Sequence, residues 1–359
     1  MSVTRIPVGG GQPYEVVLGA GVLGELPALV GPAARTVVVI HPAELGEIAR
    51  PVCGVLARAG YDVHAEPVPD REAAKDIAVA AGLWSRLAAL RVTRTDAIVG
   101  IGGGAATDLA GFVAATWLRG VRVVLLPTTL LGIADAAVGG KTAINIAEGK
   151  NLVGAFHPPA GVLADLAVLE SLPRAEYVSG LAEVIKVGFI ADPVILDLVE
   201  ADPDGAVVPH GPHAHELIER AVAVKARVVS ADLRESGERE ILNYGHTLGH
   251  AIERVEGYRI RHGEAVAIGM VFAAEVARLS GRLPAEVVAR HRRVLTAVGL
   301  PTSYLAGAWP ALRAAMTMDK KSRGAQLRMI ILTGAGQTET LDGPGEDLLA
   351  EAFAEVAGQ

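Results

Sequence analysis

The apolar positions of this chain follow two regimes. Through the first half, short runs rich in Val and Ile alternate with stretches whose apolar residues recur at helical spacing. Runs 14–18, 36–40, 62–67, 96–101, 121–126 and 162–166 read as strands. Stretches 43–59 and 72–90 read as helices, with Pro51 marking a break or kink in the first. That alternation predicts an α/β domain built on a mainly parallel sheet. From about Arg174 the pattern changes to long helical stretches at 180–200, 213–232, 240–255, 263–281 and 284–298, and strand-like sequence returns only at 327–332. The change, with the Leu172-Pro173 break, predicts an α/β domain over 1–173 and a mainly α-helical domain over 174–359. A chain of 359 residues exceeds the size at which one core keeps growing, which agrees with two domains.

Composition narrows the classes. Apolar residues make up 51% and aromatics only 4%, as suits a sheet flanked by helices rather than disorder. The net charge of -7 and the lack of a Lys/Arg block argue against a nucleic-acid partner. A lone cysteine, Cys53, forms no internal disulfide and points to a reducing compartment. Residues 1–10 lack the basic and apolar regions of a signal peptide, and no apolar run reaches membrane-spanning length without charges or Pro. A soluble, cytoplasmic protein is expected.

The densest chemistry lies at Arg239, Asn243, His246 and His250. Their spacing places four polar side chains on one stripe of one helix, within a segment apolar enough to be buried. Unpartnered polar groups are costly in such a place, so the stripe reads as a metal or anion site, with His262 a further candidate. Histidines at i, i+4 are also common as hydrogen-bonded core residues. Thr247 stands where a zincin carries its general base, which disfavours a metalloprotease.

Two glycine segments add anion sites. The strand ending at Ile101 runs into Gly102-Gly103-Gly104 ahead of a helical stretch from Ala105. Backbone amides there approach a phosphate closely and the helix start adds partial positive charge, a Rossmann-like arrangement for a nucleotide pyrophosphate. The loop matches neither Gly-x-Gly-x-x-Gly nor a Walker A motif, and a tight turn is the bland alternative. Gly139-Gly140-Lys141 and Gly149-Lys150-Asn151 form a second cradle, with Lys141 expected in a partly buried place. Arg119, Lys186 and Lys225 also interrupt apolar segments. Together with Lys141, Arg239 and Lys320 or Lys321 they predict an enclosed basic pocket for one small polyanion, although such lysines often snorkel to solvent.

Many motifs agree at once. Gly102-Gly103-Gly104-x-x-x-Asp108, Arg119-Gly120, Pro127-Thr128-Thr129-Leu130-Leu131, Asp135-x-x-x-Gly139-Gly140-Lys141-Thr142 and Gly149-Lys150-Asn151 occur in order. Ala182-Glu183-Val184-x-Lys186, Asn243-x-Gly245-His246-x-x-Gly249-His250-x-x-Glu253, His262-Gly263-Glu264 and Asp319-Lys320-Lys321 follow. Over essentially its whole length the chain resembles the 3-dehydroquinate synthases.

The resemblance implies a zinc or cobalt ion on Glu183, His246 and His262, with His250 meeting substrate instead of metal. It implies NAD along Gly102, Gly103, Gly104, Ala105, Ala106 and Asp108, with Thr128, Thr129, Lys141, Lys150 and the turn Asp70, Glu72, Lys75 in contact. Substrate, a phosphorylated sugar acid, would meet Arg119, Asp135, Lys141, Asn151, Lys186, Lys225, Arg239, Asn243, His250, His262, Lys320 and Lys321. The implied reaction converts 3-deoxy-D-arabino-heptulosonate 7-phosphate to 3-dehydroquinate and phosphate, a shikimate-pathway step of aromatic amino acid biosynthesis. In it NAD oxidises the C5 hydroxyl and later returns the hydride, so it acts as a catalyst. A homodimer is the family's usual state.

Some positions depart from the family pattern. His41 stands where many members carry an acidic or amide residue for the adenosine ribose. Ala134, Ala136, Ala137 and Ala143 replace commoner residues around the charged set, as packing variation would. The nearest rival readings are aminodehydroquinate synthase and other sugar phosphate cyclases of secondary metabolism. A metal-dependent alcohol or glycerol dehydrogenase has a similar two-domain plan, but needs net redox turnover and fewer cations.

Overall fold

The computed structural model describes residues 3–320 and 326–358. The chain forms two compact units: residues up to Leu172 together with Lys225–Arg234, and Pro173–Val224 together with the residues from Glu235 onward. The grouping of Lys225–Arg234 with the first unit departs from the expected division at 173/174. Nothing in the apolar periodicity near 170–178 signals it, because this segment belongs to a helix like its neighbours.

The first unit is built on a seven-stranded sheet. Its strands are β1 (Thr4–Val8), β2 (Tyr14–Gly19), β3 (Thr36–Pro42), β4 (Asp62–Val68), β5 (Ala97–Gly102), β6 (Arg122–Pro127) and β9 (Gly161–Asp165), in the order β1-β2-β9-β6-β5-β3-β4. Only the β1–β2 pair is antiparallel. Helices α1 (Leu26–Val30), α2 (Gly46–Arg58), α3 (Ile77–Ala89) and α4 (Gly104–Thr116) connect them. The central strands read as unbroken Val/Ile runs because both faces are covered. On one face Val37, Val39, Val99, Ile101, Val124 and Leu126 pack with Val52 and Leu56 of α2. On the other, α4 closes so tightly that a Cβ on Gly100 would lie 2.5 Å from the Ala110 side chain. Burying one such aliphatic side chain contributes about 1.5–3 kcal/mol. Of the break or kink expected at Pro51, no break occurs: α2 is continuous through it, since one missing hydrogen bond in the second turn is offset by the buried face of Ala49, Val52 and Leu56.

A hairpin absent from the expected elements completes this unit. β7 (Lys141–Ile146) pairs antiparallel with β8 (Gly149–Phe156) outside the main sheet. Its apolar side chains split between a buried strand and an exposed one, which hides the alternation. β7 sits against α4 where Gly111 has no side chain; a Cβ there would lie 2.4 Å from Thr142 Cγ2.

The second unit is mainly helical: α5 (Arg174–Ile190), α6 (Val194–Ala201), α7 (Pro203–Ala206), the first part of α8 (Ala214–Ala231), α9 (His246–Val255), α10 (His262–Leu279), α11 (Ala285–Ala297), α12 (Trp309–Lys320) and α13 (Glu346–Val356). Short strands β10 (Tyr304–Leu305) and β13 (Ala357–Gly358) pair, as do β11 (Arg328–Gly334) and β12 (Gln337–Asp342). The hub is α10, apolar on every side and rich in Ala and Gly, hence buried nearly throughout against α5, α9, α11 and α13. Among the described residues no helix is long and apolar enough to cross a membrane.

Candidate active site

Three ligand-type side chains meet in the second unit. Glu183 sits in the middle of α5, His246 opens α9 and His262 opens α10, and their donor atoms lie within 4.8 Å of one another. Both imidazole Nε2 atoms stand 3.6 Å from Glu183 Oε1, too far for a hydrogen bond and close to the donor spacing around one tetrahedral ion. Lys186 Nζ takes the other carboxylate oxygen at 2.5 Å, while Oε1 is buried with no hydrogen-bond partner. A buried acceptor left unsatisfied is costly. One carboxylate oxygen and two imidazoles around it are the donor set of a catalytic zinc-type ion.

Charges are tuned accordingly. Burial opposes ionisation of Glu183, but the Lys186 ammonium and the facing histidines prevail and hold the carboxyl well below the usual range. Burial, reinforced by Lys186, pushes His246 well below its ordinary value, so it stands neutral as a ligand must. His246 Nδ1 donates to the Tyr244 carbonyl at 3.1 Å, which leaves Nε2 for metal. Burial would also lower His262, yet the carboxylates of Glu183 and Glu253 reverse this and raise it to about 10. A cation between the ligands competes with that proton.

Behind the ligands, Tyr244 is fully buried and its hydroxyl donates to His291 Nε2 at 2.9 Å, while His291 Nδ1 donates to the Val287 carbonyl at 2.7 Å. The His291 ring stacks on Phe189 with centroids 3.5 Å apart. Both ring nitrogens are used by the neutral form, and burial lowers this histidine to about 4. Its folded value lies below its unfolded one, so its contribution is complete above about pH 6.5 and is lost as pH falls towards 4. Between pH 7 and 4 this single group is expected to remove about 3 kcal/mol of stability. Urea unfolding of wild type and His291→Leu across that range checks it: the variant's curve should be flatter by that amount, and parallel curves refute the assignment.

The expected polar stripe is not one helix. Arg239 and Asn243 lie in a 3-10 turn (Glu238–Asn243), Tyr244 and Gly245 form a turn, and α9 starts only at His246. Gly245 between them has φ 80°, and a Cβ there would lie 2.9 Å from the Val266 carbonyl oxygen, so close approach to α10 forces the break. Arg239 is buried, Asn243 Nδ2 donates to Glu235 at 2.6 Å, Lys186 Nζ also donates to the Leu242 carbonyl at 2.7 Å, and His250 is exposed. Lys321 lies outside the described residues, as does the side chain of Lys320.

In the first unit the glycine loop is as tight as expected. Gly102 has φ 141°, a Cβ on it would meet Ala106 Cβ at 2.7 Å, and Gly103 leads directly into α4. Gly104, Ala105 and Ala106 form the first turn of α4, whose N-cap Gly103 supplies no side-chain cap and accepts from Ala106 N at 3.1 Å through its carbonyl. Thr128 N donates to the Gly102 carbonyl at 2.9 Å, and Thr129 Oγ1 accepts from Gly132 N at 3.0 Å. Lys75 is buried, donating to Asp108 at 2.5 Å and to Asn151 Oδ1. Lys150 pairs with Glu72 at 3.3 Å, and Asp70 precedes the 3-10 turn Arg71–Lys75. Lys225 donates to both the carboxylate and the carbonyl of Asp135, within a π-helical turn (Gly132–Ala136). Arg119 is exposed in a left-handed turn, φ 65°. Lys141, the first residue of β7, is exposed rather than partly buried. An apolar pocket of about 250 Å³ at the carboxyl ends of β5, β6 and β9 is lined by Pro51, Val52, Ile101, Leu126, Thr128 and Val168.

Several contacts around the candidate residues escape sequence reasoning. Asn145 donates to Glu72 at 2.6 Å and its oxygen accepts from Asn151 N at 3.0 Å, inside the hairpin that was not anticipated. Glu253 Oε1 stands 3.3 Å from His262 Nδ1; its position three residues after His250 was the available signal. Tyr244 and His291 read as ordinary core.

Comparison with known proteins agrees over the whole chain. The family model for the 3-dehydroquinate synthase N-terminal domain matches residues 66–179, and that for the C-terminal domain matches residues 180–322. A 3-dehydroquinate synthase of Thermobifida fusca is 68% identical over 359 residues, covering 100% of this chain and 98% of that one. Among solved structures, a 2-deoxy-scyllo-inosose synthase complexed with carbaglucose-6-phosphate, NAD+ and Co2+ superposes with a TM-score of 0.88 at 27% identity, covering 99% of this chain and 100% of that one. A 2-epi-5-epi-valiolone synthase of Streptomyces hygroscopicus with NAD+ and Zn2+ bound superposes with a TM-score of 0.87 at 27% identity, covering 96% of each chain.

Proposed function

The chain belongs to the 3-dehydroquinate synthase family, and we infer that it performs that family's reaction with a divalent cation on Glu183, His246 and His262 and NAD on the glycine loop. The substrate is 3-deoxy-D-arabino-heptulosonate 7-phosphate, and the products are 3-dehydroquinate and phosphate. The observation that carries the cation assignment is Glu183 Oε1, buried, ionised and without a hydrogen bond, facing two imidazole nitrogens at 3.6 Å. NAD with Co2+ or Zn2+ in the two related cyclases supports the cofactor reading.

When bound, the cation polarises the substrate hydroxyl that is oxidised, and NAD takes up and returns its hydride. The chain's residues do the rest. Lys186 keeps Glu183 ionised and holds its second oxygen, so the first stays aimed at the ion. The Tyr244 carbonyl fixes the His246 tautomer. Gly102, Gly103, Gly104, Ala105, Ala106 and Thr129 present backbone and hydroxyl donors to a pyrophosphate. Asp70, Glu72, Lys75, Asp108, Thr128, Lys141 and Lys150 surround the remainder of NAD, and the apolar pocket beside Thr128 suits its base. Lys186, Arg239, Asn243, His250 and His262 in the second unit, with Arg119, Lys141, Asn151 and Lys225 in the first, donate to the phosphate, carboxylate and hydroxyl oxygens of the substrate, the cations by charge-assisted hydrogen bonds, while the Asp135 carboxylate accepts from a substrate hydroxyl. Lys320 and Lys321 complete this set. Zinc or cobalt as the ion, a homodimer and a cytoplasmic location are parts of the same proposal.

The test supplies the heptulosonate phosphate, zinc and substoichiometric NAD. Many equivalents of phosphate and one carbocyclic product should form per NAD, with no lasting absorbance at the NADH band. NADH rising one-to-one with product would make the chain a dehydrogenase instead, and failure to release phosphate from this substrate would point to another cyclase.

A further inference from the structure

A second group of ligand-type side chains shares one member with the first. Donor atoms of His250, Glu253 and His262 also lie within 4.8 Å of one another. His250 and Glu253 are three residues apart on α9, hence on one face of it. His262 presents its Nε2 edge to Glu183, and its Nδ1 is hydrogen-bonded to Glu253 Oε1 at 3.3 Å, a bond the ion would replace. That separation is about the donor spacing of a tetrahedral zinc site with bonds near 2.0–2.2 Å.

We propose that His250, Glu253 and the Nδ1 atom of His262 form a second, weaker site for a zinc-type divalent cation, and that its filling lowers turnover. The inference rests on the reading of Glu183, His246 and His262 as the ligands of the first ion. The His250 and His262 ring centroids are 6.2 Å apart, and His250 is exposed, so side-chain rotation closes the remaining gap. Two imidazoles with one carboxylate select zinc over magnesium or calcium, which favour all-oxygen sets. As the ion binds, the Nδ1–H bond of His262 breaks, an Nδ1–metal bond forms, and the proton leaves to solvent. The imidazole then bridges two ions. Loss of that proton, repulsion between neighbouring dications and the exposure of His250 make this site the weaker one. His250 is also a substrate contact in the reading above, so an ion that captures it competes with substrate.

The experiment counts zinc per chain of the holoenzyme against buffered free zinc. Wild type should fill in two steps separated by about a hundredfold or more in free zinc. His250→Ala should keep the first step and lose the second, and Glu253→Gln should shift the second by about tenfold or more. Wild-type turnover should fall over the second step and recover when zinc is drawn back to the first, and magnesium should reproduce neither change. A single step in wild type, or a second step that survives in His250→Ala, overturns the proposal. Failure of the underlying assignment shows separately, as a first step that survives in His246→Ala.

Discussion

Replacing His246 with alanine will leave a folded chain that holds far less than one zinc per copy and turns over slower by about a thousandfold or more. The position is chosen for what stays behind. Removing Glu183 would strand the Lys186 ammonium, which is 2% exposed and 2.5 Å from its carboxylate, and breaking such a buried pair costs roughly 3–5 kcal/mol. His246 is neutral and makes one backbone hydrogen bond, so its loss is local. Metal content, turnover and thermal unfolding should be measured together. Full zinc occupancy with normal turnover would mean that the buried Glu183 oxygen serves something other than a metal.

Gly263→Ala should be the most damaging single methyl in the second unit. A Cβ there would lie 1.8 Å from the Ser179 carbonyl oxygen, and Gly263 N already donates to Ser179 Oγ at 3.0 Å. Ser179 lies one turn before Glu183 on α5, and Gly263 follows His262 on α10. The methyl therefore pushes apart two helices at the place where they bring the carboxylate and the imidazole together. Loss of several kcal/mol and of the zinc is expected, against about 1 kcal/mol for Ser179→Ala, which removes one hydrogen bond and adds nothing. Thermal melts of both variants with and without zinc distinguish the two effects. A Gly263→Ala chain with native stability and full metal would show that the helices have slack the geometry denies.

The six strands of the main sheet from β2 onward were legible, most clearly β3, whose burial on both faces leaves an unbroken Val/Ile run; β1, the antiparallel edge strand TRIPV with a Pro in it, was not anticipated. β7 and β8 were not, since one strand is buried and the other exposed. Spacing alone paired His246 with His250, whereas the fold pairs His246 with His262 and with Glu183 from a distant helix. No local period encodes a contact of that range; the family resemblance supplied it. The polar stripe failed for a different reason, because Gly245 has a backbone requirement that helical periodicity ignores. Lys225 read equally well as a snorkelling lysine, and only the fold shows it against Asp135.

α9 and α10 are consecutive in the chain and touch backbone to backbone: a Cβ on Gly269 would lie 1.9 Å from the Gly245 carbonyl oxygen, and one on Gly249 3.3 Å from Ala265. Contacts between sequence neighbours form early in folding, ahead of those to remote segments. His246 and His262 are therefore brought together by a contact between sequence neighbours, whereas Glu183 reaches them from a helix far upstream, so loosening the α9–α10 contact and shifting α5 are two separate ways of undoing the same cluster.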